Sequence, residues 1–408
     1  MYLFPFSFTF LPESVNTKMI IAVFGIVAFA WDSIQQRSLC ISKPFLFSAL
    51  LAIVFSLWCL YSISVNFGSD TTYSRYWLSF ATWLGGAYAV CFTVRKLSGR
   101  MDIGVLTFYL SAVCVVQCIL ALVIDNIPSF QLWVDSHIVQ NQEFIHTINR
   151  WYGIGASLDT AGVRFSVVLV LIAHQLSHWE RTLGSPALSV YYFVSFAVIV
   201  VVGSIIARTT WVGAVAGILY MFISNSRVRQ GSIQKEQGLF WLLLSGTILL
   251  TVGISIYLYY HNPGFRQNLR FGFEGFFNWA ETGVFRTDST DKLNRIMWVW
   301  PKDTRSWIIG TGLFDDWVYG TDIGYCRFVL YCGLVGMTLF SIFFIYNGIA
   351  INYLLDNVAL LSVFLIALTF IIWLKVSTDI FFIYALLFCL NAGKQQAKES
   401  ELCTSSIA

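Results

Sequence analysis

The chain has 408 residues, 57% of them hydrophobic and only 12% charged, with a mean hydropathy of +0.70. A soluble domain of that composition would aggregate, so the sequence reads as an all-α, polytopic integral membrane protein. A net charge of +3, from basic residues that are scattered rather than massed, excludes a nucleic-acid-binding surface.

A helix needs about 20 apolar residues to cross the hydrocarbon of a bilayer. Eleven such runs stand between polar breaks, at roughly 16–31, 44–65, 73–94, 103–125, 161–177, 187–206, 209–224, 238–260, 323–350, 358–374 and 378–392. Residues 2–12 are apolar but short and carry Pro5 and Pro12, so they form a stub or the outer end of a twelfth span. The expected fold is a bundle of 11–12 transmembrane helices with one large loop. The opening MYLFPFSFTFLPE lacks a basic start and a small-residue cleavage site, so no cleavable leader is expected.

Short-loop lysines and arginines mark the cytoplasmic side. Arg37 and Lys43, then Arg95, Lys96 and Arg100, Arg181, Arg227, Arg229 and Lys235, and finally Lys394 and Lys398 fall in alternate loops. Residues 126–160, the turn at Arg208, the long interval 261–322 and the junction at Lys375 then lie outside. The domain plan is membrane helices over 1–260, the large loop over 261–322, membrane helices over 323–393 and a cytoplasmic tail at 394–408.

Within 126–160, Val134, Ile138, Ile145, Ile148 and Tyr152 have loosely helical spacing, which predicts an interfacial amphipathic helix with Trp133 and Trp151 at headgroup depth. Phe271, Phe273, Phe276, Phe277 and Trp279 form an aromatic patch in the large loop, either packing against the bundle or flooring a site for a lipid tail or sugar ring. Loops of such length that lack structure of their own are usually functional or disordered, and this one has too many aromatic residues for disorder. Cys59, Cys91, Cys114, Cys118, Cys326, Cys332 and Cys389 fall in or beside apolar runs and read as small buried hydrophobes.

Guanidinium groups recur in the outer segments. Arg208 interrupts two apolar runs and is either a snorkelling anchor or a ligand-facing residue. Arg150 and Arg164 bracket RWYGIGASLDTAGVR, whose glycines permit close backbone approach to a ligand. Arg266, Arg270, Arg286, Arg295 and Arg305 lie in the large loop. Guanidinium pairs bidentately with phosphate oxygens, so convergence of these segments would make an anion site suited to a diphosphate. Asp322, where the chain turns back into the membrane, is a candidate proton acceptor if partly buried, or a helix N-cap together with Thr321. Asp315 and Asp316 adjoin a GTG and are candidate cation ligands. The five histidines, His137, His146, His174, His178 and His261, show no HExxH, and the pair His174 and His178 sits at the cytoplasmic end of a span, so no metal or other cofactor is expected.

The order of three motifs carries a family resemblance: ARTTW opening a mid-chain span, RIMWVWPKDTRSWIIGTG in the long loop, and DIGYCRFVLYCGLVG at the return to the membrane. Over roughly residues 150–350 the chain resembles the membrane O-antigen polymerase and O-antigen ligase superfamily. The resemblance implies a helical bundle in the bacterial inner membrane with a large periplasmic loop, acting on glycans carried by undecaprenyl diphosphate. It makes Arg208 and Arg295 the diphosphate contacts, with Arg150 or Arg164 a third, and brings Arg305 and Tyr325 into the substrate site. Ligases of the family typically have a histidine where this chain has Asp322, while a DxGY-like return is familiar in polymerases. The expectation is therefore a metal-independent, inverting polymerase that moves the growing glycan onto a new lipid-linked repeat unit, with a chain-length regulator as a possible partner. A ligase transferring to lipid A core and a flippase or exporter are the alternatives.

Overall fold

The computed structural model describes residues 1–408 except 13–14, 38–41, 141, 148–149, 178–185, 229–233, 315–317 and 391–408. Ile148, His178, Arg181, Arg229, Asp315, Asp316, Lys394, Lys398 and the expected tail lie outside the described residues. The chain divides into two compact units, one made of residues 1–2, 15–103 and 289–408, the other of 3–14 and 104–288.

The first unit contains α1 (Thr17–Gln36), α2 (Lys43–Val65), α3 (Tyr76–Ser98), α13 (Asp288–Ile296), α14 (Thr304–Ile309), α15 (Gly324–Leu354), α16 (Ala359–Ile372) and α17 (Phe381–Leu390). The second contains α4 (Ile103–Asn126), α5 (Pro128–His137), α6 (Gln142–Thr147), α7 (Leu158–Ser177), α8 (Pro186–Ile206), α9 (Thr210–Val228), α10 (Gln234–His261), α11 (Pro263–Gly272) and α12 (Glu274–Thr282). Two two-residue strands, β1 (Ser7–Phe8) and β2 (Ile138–Val139), pair antiparallel.

Seven helices, α1 to α4, α7, α8 and α15, are long and apolar enough to cross a membrane among the described residues. Their outward faces carry large apolar side chains such as Val23, Phe24, Leu50 and Leu57, which lipid tolerates and water does not. The protein is therefore helical and multi-pass. The eleven expected runs do not all give long spans. Those at 209–224, 358–374 and 378–392 appear as shorter apolar helices, and the run at 238–260 lies within the 28-residue α10. The chain leaves the helix after Ile372 because Trp373 Nε1 donates to the Thr378 carbonyl at 2.9 Å and the Asp379 carboxylate accepts from the Phe381 N–H at 2.8 Å, opening α17. Residues 2–12 form a stub: Ser7 and Phe8 are in β1, and no helix occurs there.

The first unit is organised around a break in α15. Gly333 has φ +69° and ψ −179°, so the helical ladder stops there. The carbonyls released nearby are taken up by other elements: Tyr331 O accepts from Ser62 Oγ at 3.0 Å and from Gly312 N–H at 3.0 Å, Leu330 O from Thr311 N–H at 2.7 Å, and Cys332 O from Trp58 Nε1 at 2.8 Å. The glycines of the GTG, Gly310 at φ +88° and Gly312 at φ +73°, thus serve backbone-to-backbone packing. Aromatic rings fill the space beneath, with Phe340 stacked on Phe55 at 4.4 Å and on Trp373 at 5.4 Å. α1 meets α3 where Gly25 and Gly85 touch, a contact only small residues allow.

In the second unit α7 is buried from Phe165 to Leu176, apolar on every side but for Ser166, His174 and Gln175. Gly213 of α9 packs directly on Ser166 of α7, and Gly162 packs on Ala207 and Thr209. The seven named cysteines are all buried and free, as their apolar context predicts.

Residues 126–160 differ from expectation. One amphipathic helix gives way to α5, β2 and α6, because β2 breaks away to pair with β1. The apolar residues still share one core: Ile124, Val134, Ile138, Ile145 and Tyr152 are buried together. Trp133 is exposed, whereas Trp151 is buried. The long interval 261–322 is likewise not structureless, since it builds α11, α12, α13 and α14.

Candidate functional site

In the second unit the turn between α8 and α9 is held from several directions. Ala207 N–H donates to Gly203 O at 2.8 Å, Thr210 N–H to Ala207 O at 3.0 Å, and Thr210 Oγ1 to Gly203 O at 3.0 Å. The Ser166 hydroxyl of α7 donates to Thr209 O at 2.9 Å and accepts from the Gly213 N–H at 3.1 Å. The Thr209 hydroxyl donates to Asp159. This rigid turn presents Arg208, whose Nη1 lies 2.6 Å from Glu274 Oε2. Glu274 opens α12 and also accepts from the Asp288 N–H at 2.8 Å.

Arg150 joins the same site. Its guanidinium lies 4.8 Å from the centroid of Phe271, and the Arg208 guanidinium lies 4.0 Å from that centroid, so one aromatic ring carries two cations. Burial pushes the Arg208 guanidinium below its ordinary value; Glu274 opposes that shift, Arg150 adds to it, and Asp288 and Asp159 oppose it. Burial lowers Arg150 as well, against the pull of Asp159. Two cations are set among three carboxylates, Glu274, Asp159 and Asp288.

The aromatic patch divides around this cluster. Phe271 floors the arginines, while Phe273, Phe276 and Phe277 line an apolar cavity of about 860 Å³ with Trp211, Leu269 and residues of α8, α9 and α10. Trp211 ties the two together, donating from Nε1 to Gly272 O at 3.2 Å. Trp279 is exposed. An almost wholly apolar wall whose residue Phe273 stands two positions after Phe271, the ring under both guanidinium groups, has the chemistry for a long lipid with an anionic head.

Other expected residues are placed differently. Arg164 lies over Phe4, 5.7 Å from its centroid. The glycines of the 150–164 segment serve packing rather than ligand approach: Gly153 sits against Gln117, and Gly155, at φ +67°, against the carbonyls of Phe4 and Pro5.

Arg295, Arg305, Asp322 and Tyr325 belong to the first unit. Arg295 is exposed in the last turn of α13, with no ion pair among the described residues. Arg305 Nη2 donates to Val65 O at 2.9 Å, at the end of α2. The Tyr325 hydroxyl donates to Phe370 O at 2.9 Å. Asp322 is exposed, not partly buried, and the N-cap position of α15 is Ile323 without a side-chain cap. Thr321 does not cap the first turn of α15 either: its hydroxyl donates to Met297 O at 2.5 Å and accepts from the N–H of Ile323, the N-cap residue itself, at 3.2 Å.

Sequence reasoning passed over Glu274, Asp159 and Arg327. Arg327 lies 3.9 Å from the Phe314 centroid and donates to Ser377 Oγ at 2.9 Å and Phe314 O at 2.5 Å, pinning the segment after the GTG. It stood in plain view as the charge in DIGYCRFVLYCG; Glu274, one acidic residue in FGFEGFF, carried no such signal. Compared with known proteins, the chain matches no family model, no curated protein and no solved structure.

Proposed function

We propose that the chain is a membrane glycosyltransferase that polymerises lipid-linked oligosaccharide repeat units, moving the growing glycan from undecaprenyl diphosphate onto the non-reducing end of a new unit. The observation that carries this reading is the Arg150–Arg208 pair on Phe271, two residues before Phe273, which lines an apolar cavity of about 860 Å³. A lipid diphosphate is an amphiphile of matching form: its head suits paired guanidinium groups and its tail suits a dry aromatic wall. The motif order of the sequence supports the same class. In the topology we propose, eleven runs cross the bacterial inner membrane, residues 261–322 face the periplasm, and the segment after 393 is cytoplasmic.

Attack of a sugar hydroxyl at the anomeric carbon expels the lipid diphosphate, and negative charge grows on the leaving oxygen as that bond breaks. Guanidinium groups already fixed at that oxygen stabilise the transition state more than the ground state. Direct displacement through an oxocarbenium-like state inverts the configuration. The family resemblance also assigns Arg295 to the reaction; it is exposed, in the first unit.

The test is reconstitution of the purified protein in lipid vesicles with one lipid-linked repeat unit and no added acceptor. A ladder of longer lipid-linked glycans with released undecaprenyl diphosphate supports the polymerase. Intact substrate that is consumed only when lipid A core is added would replace it with the ligase, and substrate that merely crosses the bilayer would replace it with a transporter.

A further inference from the structure

The second unit holds an acid–base arrangement that the lipid-diphosphate reading does not use. α5 supplies Asp135, α6 supplies His146, and residues 150–152 supply Arg150, Trp151 and Tyr152. Asp135 is gripped through both oxygens: His146 Nε2 lies 2.9 Å from one, and the Tyr152 hydroxyl donates to the other at 2.8 Å. The Tyr152 ring also stands edge-on to the imidazole at 5.8 Å. Burial and the bond to Asp135 raise the Tyr152 phenol well above its ordinary value, so it stays a donor and keeps the carboxylate in place.

A histidine held through Nε2–H on a carboxylate presents Nδ1 as its basic nitrogen. Among the described residues nothing else bonds to the His146 ring, whose side chain is 44% exposed. It borders a polar cavity of about 40 Å³, shared with Asp125, Gln131, Arg150, Trp151 and Tyr152. That is room for one hydroxyl group or one water. Arg150 belongs both to this cavity and to the Phe271 ring under Arg208. One residue therefore joins the basic histidine to the paired guanidinium groups.

We propose that His146 takes the proton from the attacking hydroxyl of the acceptor sugar, with Asp135 and Tyr152 as positioning residues. This rests on the glycosyl-transfer reading above. In the step, the hydroxyl proton passes to Nδ1 and the hydroxyl oxygen bonds to the anomeric carbon. The bond from that carbon to the diphosphate oxygen breaks, and its electron pair leaves with the lipid diphosphate. The proton then returns to the diphosphate or to water. Asp322, the base expected from sequence, lies exposed in the other unit.

The experiment measures single-turnover glycan transfer in vesicles across about pH 5 to 9 for wild type, His146→Gln and Asp135→Asn, alongside binding of undecaprenyl diphosphate itself. Transfer in His146→Gln should fall by roughly a hundredfold or more while lipid diphosphate binding is kept, and the acid-side loss of rate should vanish from its profile. Asp135→Asn should keep the acid-side loss but displace it, and added imidazole should restore part of the rate of His146→Gly. Wild-type transfer with an unchanged pH profile in both His146→Gln and Asp135→Asn overturns the proposal. So does loss of transfer together with loss of lipid diphosphate binding, which marks a purely structural role. No transfer by the wild-type protein overturns the glycosyl-transfer reading first, and this proposal with it.

Discussion

Arg208 Nη1 and Glu274 Oε2 are 2.6 Å apart, with both side chains more than four-fifths buried. The second Glu274 oxygen accepts from the Asp288 N–H, so one carboxylate fastens the α8–α9 turn to the start of α12 and to Asp288. On the lipid-diphosphate reading proposed above, an incoming diphosphate competes with Glu274 for the same guanidinium. Glu274→Gln keeps a hydrogen-bonding oxygen toward Asp288 and removes the competing charge. We expect undecaprenyl diphosphate to bind about tenfold more tightly, a change of ~1.4 kcal/mol, as read by calorimetry in nanodiscs. Weaker binding would make Glu274 part of the ligand site rather than its occupant.

Removing Arg208 separates chemistry from stability. Arg208→Ala leaves Glu274 without its ion-pair partner, and the partial exposure of both groups holds the stability cost to about 1–3 kcal/mol, below that of a fully buried pair. Transfer should fall by about 10² to 10³, the effect of deleting one donor to a developing oxyanion. Combining Arg208→Ala with Glu274→Gln should recover most of the stability and none of the activity, since the two residues share one interaction. Recovery of activity in the double variant would show that Arg208 only neutralises Glu274.

The two arginines of the first unit should behave unlike each other. Arg305 donates to the Val65 carbonyl and secures α14 to the end of α2, so Arg305→Ala should lower the melting temperature slightly and leave transfer close to wild type. Arg295 has no such tie among the described residues, so Arg295→Ala should leave the melting temperature unchanged while reducing transfer. Wild-type rates in Arg295→Ala would withdraw that residue from the site.

Helices and membrane character were legible in the sequence because a bilayer imposes one long, simple signal, an unbroken apolar run. The break at Gly333 was not, since α15 continues apolar through it, and the backbone packed on Gly333 is that of Ile308 and Ile309, more than twenty residues earlier. The meeting of Arg150 and Arg208 was legible as residue type but not as place. Phe271 brings them together, and no spacing in the sequence links residue 150 to residue 271. Asp322 does not cap α15, although a carboxylate at a helix start usually does, because Ile323 holds the cap position.

The apolar cavity offers the sharpest test of the lipid assignment. Thr251 of α10 lines it together with Phe273, which follows α11, and Phe276 and Phe277 of α12. Thr251→Trp fills part of that space with a side chain that the apolar wall accommodates, and it touches neither Arg150 nor Arg208. If the cavity receives the tail, the KM for a long polyprenyl donor should rise by about tenfold, the worth of ~1.4 kcal/mol of lost apolar contact. A donor with a tail of two or three isoprene units should be used as before, because its head still meets the same guanidinium pair. Kinetics on both donors in detergent micelles, where membrane partitioning of the two can be matched, distinguish the cases. Equal losses on the long and short donors would place the tail elsewhere and leave the cavity as packing space.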